Sequence, residues 1–238
     1  MRVATLNVWG RSGDWDARRE LLARGFAELA PDVVLLQEVE DGLAAEILDP
    51  GLHVVHRGFI AVASHRAPGD VHHVVGERQQ AATLIVEFDD LVAVNHFPSW
   101  APSQEAARER ETVAAARRVE ELVGDRHVVL GGDLDAVPDA ASIRFLRGLQ
   151  GLDGFSVRYL DAWDALHPGE DGHTFTTVNP LVMEESTVTR EEPRRIDYLF
   201  VRCTDDGPTL EVRDSRRLFT DPPASDHYGL VADLTPYR

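Results

Sequence analysis

The sequence contains no lysine, only one cysteine and no long apolar run. All 24 basic residues are therefore arginine, which excludes the lysine-containing phosphate loop, Schiff-base chemistry and pyridoxal enzymes. Cys203 has no partner for an internal disulfide. Because it lies beside the apolar run Tyr198–Val201, we expect a buried, inert thiol rather than a nucleophile.

The absence of a long apolar run also indicates that no helix of the chain spans a membrane. A bilayer-spanning helix needs about 20 apolar residues, so none is predicted. The first residues, Met1–Leu6, read as a strand and lack the features of a secretory signal, so we expect a cytoplasmic protein.

Acidic residues outnumber basic ones by 41 to 24, which gives a formal net charge of -17. Proteins bind long nucleic acids largely through cations that displace counterions, so this balance argues against a long duplex as substrate. Screening over about 10 Å nevertheless allows a local arginine patch to act independently of the total.

With 238 residues, no internal repeat and no low-complexity linker, the chain is predicted to form one domain over 1–238. Short apolar runs rich in Val, Leu and Ile alternate with helical patterns. The predicted strands are Arg2–Val8, Val33–Gln37, Phe59–Ser64, Ala82–Phe88, Leu91–His96, His127–Gly131, Ile196–Val201, Leu210–Arg213 and Gly229–Leu234. The predicted helices are Trp15–Ala30, Ser103–Val123 and Ala140–Leu149. We also expect His72 and His73 in a solvated loop, Arg108 on an exposed, salt-bridged helix face, and an exposed loop at Glu184–Pro193. Many strands and few helices indicate two packed sheets with helices outside.

Polar residues recur where these apolar runs begin or end, which is where a strand delivers side chains to a rim. They are Asn7, Glu38, Asn95, His96, Asp133, Asp197, Asp226 and His227. Each alone has an ordinary interpretation as a turn former, a helix cap or a surface histidine. Together they offer oxygen ligands suited to a hard cation and histidines suited to proton transfer, which are what phosphoester hydrolysis requires.

In these residues the chain resembles the endonuclease/exonuclease/phosphatase (deoxyribonuclease-I-like) family. The matching motifs occur in the family's order from the first strand to the last. They are Thr5–Trp9, Leu36–Glu38, Asn95–His96, Gly132–Pro138, Arg195–Tyr198 and Ser225–His227. The resemblance implies an α/β fold with four layers, α-β-β-α, in which two mixed β-sheets are flanked by helices.

The resemblance also implies a metal site. Glu38 would be the principal ligand of Mg²⁺, which Mn²⁺ can replace, with Asn7 close by and Asp226 contributing through water. Asp133 would orient or deprotonate the attacking water.

The remaining implied roles concern the substrate. His227, held by Asp197, and His96 would contact phosphoryl oxygens and assist the leaving group. Arg78 falls where some family members place a phosphate-contacting arginine, and Asn179 resembles part of a substrate-side loop in bacterial members; a plain polar loop is the alternative interpretation.

The chain departs from the family at Asp135, because members usually carry asparagine two residues after the motif aspartate. An amide donates hydrogen bonds, whereas an ionised carboxylate only accepts them. We predict that Asp135, a catalytic candidate with Asp133, is protonated beside that carboxylate or ligates a second ion. The alternative is reduced or lost activity.

Four functions follow from these motifs. The favoured one is a magnesium-dependent phosphoesterase acting on a small phosphorylated molecule, as a monoesterase or diesterase. A nuclease using the same residues is the main alternative, and clustering of Arg78, Arg194 and Arg195 at the site would favour it. A sphingomyelinase-type lipid phosphodiesterase and a non-catalytic partner-binding domain are ranked lower. The sequence does not define the substrate or the oligomeric state.

Overall fold

The computed structural model describes residues 1–78, 80–184 and 192–237, which form two mixed β-sheets. The strands are β1 (Arg2–Asn7), β2 (Val33–Gln37), β3 (His53–Arg57), β4 (Ile60–Ser64), β5 (Val71–Val75), β6 (Ala82–Glu87), β7 (Leu91–Phe97), β8 (His127–Asp133), β9 (Tyr159–Asp161), β10 (Asp197–Thr204), β11 (Gly207–Pro208), β12 (Leu210–Leu218) and β13 (Gly229–Pro236). The α-helices are α1 (Trp15–Leu29), α2 (Leu43–Ile47), α3 (Glu105–Leu122), α4 (Ala141–Leu146) and α5 (Ala162–Leu166). Short 3₁₀ turns cover Pro102–Gln104 and Pro180–Glu184.

The first sheet has the order β12-β13-β1-β2-β4-β3, and the second β11-β10-β8-β7-β6-β5, with β9 paired to β10. The pairs β1–β2 and β7–β8 are parallel, and the other pairs are antiparallel.

The sheets pack face to face, and helices cover their outer faces. Apolar side chains such as Leu35 and Leu84 fill the space between the sheets. On the outer face of the first sheet, α1 contributes Leu22 and Phe26, and on that of the second sheet α3 contributes Val119. The four-layer fold predicted from the sequence is confirmed.

Local sequence accounts for how α1 begins and ends. The Asp14 carboxylate accepts a hydrogen bond from the Ala17 N–H at 3.3 Å, as an N-cap does. The helix ends at Ala30, in the left-handed region with φ 47°, directly before Pro31.

Several local predictions were wrong. His72 and His73 lie in strand β5 rather than in a solvated loop, and the His72 ring contacts Glu87 at 2.6 Å. Arg108, predicted on an exposed helix face, is 3% exposed. Strands β3, β5, β9 and β11 were not predicted, nor were helices α2 and α5. The predicted exposed loop Glu184–Pro193 falls mainly on residues 185–191, which lie outside the described residues.

Within the described ranges, no helix is both long and apolar enough to cross a membrane.

One end of the sandwich collects the strand ends that carry the motifs. The pairings place the carboxyl ends of β1, β2, β7 and β8 there, together with the amino ends of β10 and β13. We call this the site end.

Candidate functional site

Asn7 joins the two sheets at the site end. Its amide Nδ2 donates to Glu38 Oε1 and to Asp133 Oδ2, both at 3.0 Å. Its Oδ1 accepts from the Trp9 backbone N–H at 3.0 Å, which fixes the orientation of the amide. Carboxylates from different sheets are thereby held on either side of one amide nitrogen.

The backbone around these groups adopts rare conformations. Trp9, Glu38 and Asp135 have φ values of 59°, 55° and 50°, in the left-handed region that non-glycine residues rarely occupy. Such conformations cost on the order of 1–3 kcal/mol each and concentrate at functional sites. Each of the three follows a strand end and redirects the chain around the cluster.

Gly132 permits the close approach of β7 and β8 beneath Asp133. Its φ is 144°, and a Cβ at this position would lie 2.1 Å from the His96 carbonyl oxygen. The close approach of the His96 backbone therefore explains why a glycine precedes the motif aspartate.

A histidine–aspartate pair lies next to Asp133. The His227 Nδ1 is 2.9 Å from Asp197 Oδ2, and both residues are buried. The Thr174 hydroxyl accepts from the Asp197 N–H at 3.2 Å and from the Ile196 N–H at 3.1 Å, which positions the start of β10. The other ring nitrogen, His227 Nε2, lies 3.8 Å from Asp133 Oδ2.

Asp133, Asp197 and His227 each offer a ligand atom within 4.8 Å of the others, a separation that could hold a metal ion. Since the Asp197 contact already occupies His227 Nδ1, this geometry fits an oriented imidazole better than a metal ligand. Asp197 Oδ1 is buried and has no hydrogen-bond partner within the described residues.

Burial and crowding shift the proton affinities of this cluster. Burial raises the pKa of Asp133 to about 6; the charge of His227 opposes the rise and that of Asp197 adds to it. Burial alone would lower the pKa of His227, but the Asp197 and Asp133 charges raise it well above its ordinary value. Burial, and then the charge of Asp133, raises the pKa of the half-buried Asp135 well above that of an ordinary aspartate. The site therefore favours an imidazolium beside carboxylates that repel one another.

Asp226 and Asn179 lie together in the loops beside this cluster. The Ser225 hydroxyl is 3.2 Å from Asp226 Oδ1 and 2.6 Å from the Asn7 carbonyl oxygen. Asn179 Nδ2 donates to the Ser225 and Asp226 carbonyls at 2.8 and 2.9 Å. Asn179 is fully buried, so its contacts hold the loop that carries Asp226, and its predicted substrate contact stays a prediction.

His96 faces away from the cluster. Successive side chains of a strand point to opposite faces of the sheet. On β7, Ala93 and Asn95 point between the sheets, as Val129 and Asp133 do on β8. His96 therefore points to the opposite face, toward α3. Its Nδ1 lies 2.8 Å from Thr83 Oγ1 and its Nε2 lies 3.2 Å from Thr112 Oγ1. The predicted grouping of His96 with the other catalytic candidates is therefore not seen in its contacts.

The three arginines that would favour a nuclease do not gather at the site. Arg195 Nη1 forms a buried ion pair with Asp161 at 2.7 Å. Arg78 is exposed in the β5–β6 turn. Arg194 alone adjoins the cluster, with its guanidinium 5.3 Å from the centre of the Phe175 ring, which contacts His227.

A buried amide network lies beneath the site; Asn95 was a candidate from the sequence, but the role of Gln37 was not predicted. Gln37 Nε2 donates to Asn95 Oδ1 at 2.7 Å, and Asn95 Nδ2 donates to the Leu36 and Ala61 carbonyls at 2.8 and 2.9 Å. These bonds join the two sheets directly below Glu38 and Asp133. Gln37 stands immediately before Glu38, and that position is the signal that could have identified it.

Comparison with known proteins agrees with this architecture. The family model "Endonuclease/Exonuclease/phosphatase family" matches residues 4–227. No curated protein matches the chain.

Solved structures give the same picture of the fold. TDP2 from D. rerio, complexed with single-strand DNA product, superposes with a TM-score of 0.78 and 18% identity, covering 99% of this chain and 98% of that one. An endonuclease/exonuclease/phosphatase from Bacteroides vulgatus gives 0.75 and 17%, covering 99% and 98%. The human Nocturnin catalytic domain with bound sulfate gives 0.73 and 15%, covering 100% and 94%.

Proposed function

Because the chain belongs to the endonuclease/exonuclease/phosphatase family, we propose that it is a metal-dependent phosphoesterase that hydrolyses a small phosphorylated substrate. The observation that carries the proposal is the Asn7 amide, which holds Glu38 and Asp133 together beside the His227–Asp197 pair. We propose that 1–238 acts as one catalytic domain, and the cytoplasm stays our prediction for its compartment.

The donor set fits a hard divalent cation. Glu38, Asp133 and Asp226 bring carboxylate oxygens, and the described site has no thiolate. The Asn7 Nδ2 donates to two of these carboxylates and so positions them. Asp197 Oδ1 is buried with no hydrogen-bond partner among the described residues, and burial raises the pKa of Asp133, so a bound cation would stabilise both carboxylates.

We propose that Glu38 holds Mg²⁺ or Mn²⁺, with Asn7 adjacent and Asp226 acting through water. When bound, the ion would neutralise charge that develops on the phosphoryl oxygens.

Asp133 is suited to position the attacking water. Asn7 Nδ2 donates to its Oδ2, and the Asp135 N–H donates to its Oδ1 at 3.1 Å, so the carboxylate plane is fixed. A pKa of about 6 is close to the value at which a carboxylate serves as a general base near neutral pH. As the water oxygen bonds to phosphorus, its proton passes to Asp133.

His227 is suited to the opposite task. Asp197 fixes Nδ1 as the hydrogen-bonded nitrogen, so Nε2 points toward Asp133 and the position of the phosphoryl group. The raised pKa favours a protonated ring, which can contact a phosphoryl oxygen and give a proton to the departing alkoxide as the P–O bond breaks. Asp135 would act beside Asp133 as a protonated carboxyl that donates a hydrogen bond.

A small substrate accounts better than a nucleic acid for the charges around the site. The net charge is -17, and Arg195 is already paired with Asp161. We propose that Arg194 and the exposed Arg78 bind one phosphate rather than a polyanionic strand. The DNA in the TDP2 complex keeps a nuclease as the alternative.

A substrate panel with and without chelator tests the proposal. It contains phosphomonoesters, linear and cyclic nucleotides, single- and double-stranded nucleic acid, and sphingomyelin, each with Mg²⁺ or Mn²⁺. We expect turnover of a small phosphoester that chelator abolishes and added metal restores. Turnover that persists in chelator would contradict the proposal, and a steep salt dependence with DNA or RNA would favour the nuclease.

A further inference from the structure

Exposed apolar side chains concentrate at the site end of the sandwich. Among the described residues, nine large hydrophobic side chains are exposed, and five of them lie at strand ends or loops of this end. These five are Phe59, Val75, Trp100, Val137 and Val178. The other four are Val54, Leu149, Leu166 and Tyr237.

Three of the five lie on loops of neighbouring strands. Trp100 follows β7 by three residues and Val137 follows β8 by four, and Val178 lies three residues after Phe175, whose backbone pairs with Arg194 and His227 near the start of β10. The strands are adjacent in the order β10-β8-β7, and adjacent strands lie about 4.8 Å apart, so these three strand ends fall within about 10 Å. Trp100, Val137 and Val178 are hereafter the apolar rim.

Buried polar contacts hold the Trp100 loop in place. The Arg108 guanidinium, 3% exposed, donates to the Ser99 and Ala101 carbonyls at 2.9 and 2.8 Å, on either side of Trp100. The tryptophan itself is nevertheless 61% exposed. A large aromatic side chain held in solvent by a buried arginine is typical of a contact surface rather than of a mobile loop.

The other two loops are fixed to the catalytic cluster. The Tyr198 hydroxyl donates to the Ala136 carbonyl at 2.7 Å, directly before Val137 and directly after Asp135. Val178, 81% exposed, precedes Asn179, whose amide binds the Asp226 carbonyl at 2.9 Å. Val137 and Val178 are therefore each held next in sequence to a residue that contacts the proposed site.

The charges near the rim limit what can bind there. Arg108 is paired with Glu105 at 2.8 Å, and Arg195 is paired with Asp161. The chain charge of -17 disfavours an anionic bilayer or a long polyanionic strand, whereas Arg194 beside the cluster would bind a single phosphate. An uncharged apolar group fits this surface.

We propose that the apolar rim binds an aromatic or alkyl group esterified to the scissile phosphate, so that the substrate is a small, single-phosphate ester of an apolar alcohol. This inference rests on the proposed phosphoesterase function. Trp100 contributes a flat face, and Val137 and Val178 contribute aliphatic contacts.

Benzyl phosphate and methyl phosphate test the inference, because their alcohols have similar acidity and differ mainly in apolar surface. Each is assayed with Mg²⁺ as the monoester and as its methyl diester. We expect kcat/KM to be about tenfold higher or more for the benzyl ester, since an aromatic contact and its buried area are worth about 1.4 kcal/mol or more.

Trp100→Ala and Val178→Ser should remove most of this preference and leave methyl ester hydrolysis unchanged. Tyr237→Ala and Leu149→Ala are the matched controls, since both side chains are more than half exposed outside the site end. Benzylphosphonate, which cannot be hydrolysed at its P–C bond, should quench tryptophan fluorescence in the wild type and not in Trp100→Ala.

The outcomes separate the two proposals. No metal-dependent hydrolysis of any phosphoester would refute the proposed function itself. Hydrolysis with equal kcat/KM for the benzyl and methyl esters, or a preference that Trp100→Ala and Val178→Ser leave intact, would refute only the apolar rim. Rim-dependent binding to neutral lipid vesicles, or rim-dependent cleavage of oligonucleotides in preference to benzyl esters, would also overturn it.

Discussion

The two faces of the second sheet carry neighbouring polar residues in opposite situations. On the face toward α3, His96 has a threonine hydroxyl at each ring nitrogen. On the face between the sheets, Asp133 and Asp197 are crowded, and Asp197 Oδ1 has no partner within the described residues. Both groups are buried, yet only the second has unsatisfied capacity to bind something.

In this protein the contacts of each buried polar side chain, rather than its residue type, distinguish a structural group from a candidate catalytic one. Most buried polar atoms in proteins are hydrogen-bonded, so buried carboxylates that repel one another mark a candidate site for a cation. The comparison predicts a ranking of mutational effects.

The largest effect is expected for Glu38→Gln. Loss of the carboxylate should weaken metal binding and lower kcat/KM for any substrate by about 10³-fold or more, because the ion provides the main charge stabilisation. Metal titration by calorimetry and the metal-induced rise in Tm should both lose most of their signal. Glu40→Gln, at an exposed carboxylate two residues away that pairs with Arg11 at 2.7 Å, is the control. Full activity in Glu38→Gln would contradict the proposed role of Glu38 as the principal metal ligand.

The second-largest loss of activity is expected for Asp197→Asn. This variant keeps the shape of the side chain but removes the charge that orients and protonates His227, so kcat should fall by about 10²-fold. The alkaline limb of the kcat–pH profile should move to lower pH, since the pKa of His227 falls without that charge. An unchanged profile would show that the pair has no part in proton transfer.

On the face of the second sheet toward α3, we expect substitution of His96 to change the free energy of unfolding more than the reaction rate. Burial lowers the pKa of His96 from 6.5 to about 4, so folding favours the neutral ring. The free energy of unfolding is therefore unaffected by protonation of His96 above pH 6.5. It decreases as the pH falls from 6.5 through about 4, by on the order of 3 kcal/mol in total.

His96→Gln should remove this part of the pH dependence, as measured by urea unfolding between pH 4 and 7. The same variant should reduce activity less than Asp197→Asn does. A larger loss of kcat than in Asp197→Asn would return His96 to the catalytic group predicted from the sequence.

The face that His96 occupies could not be predicted because β7 is apolar on both sides. Leu91 and Ala93 pack between the sheets, and Val92 and Val94 pack toward α3, so alternation does not distinguish the faces. The same double burial made the strands easy to predict, since Val33–Gln37 was predicted with both bounds correct.

Edge strands were predicted less well than central ones. Strand β5 contains His72 and His73, and its side chains are partly exposed, so no apolar run marks it. Strand β12 continues to Leu218 because β13 pairs with it, although its own residues Arg216 and Arg217 are exposed. Pairing with a neighbour, rather than local propensity, decides such segments.

The smallest effect is expected for Asp135→Asn, which introduces the amide usual in the family. A protonated Asp135 and an asparagine both donate a hydrogen bond, so kcat at the acidic end of the pH profile should change by less than about threefold. Toward alkaline pH, Asp135→Asn should retain or exceed wild-type activity, because the amide cannot ionise beside Asp133 as the wild-type carboxyl can. The pH profiles of both proteins with Mg²⁺ test this, and Asp139→Asn, an exposed position in the same loop, is the control. Complete loss of hydrolysis in Asp135→Asn would show that the charged carboxylate has a function of its own, such as binding a second ion.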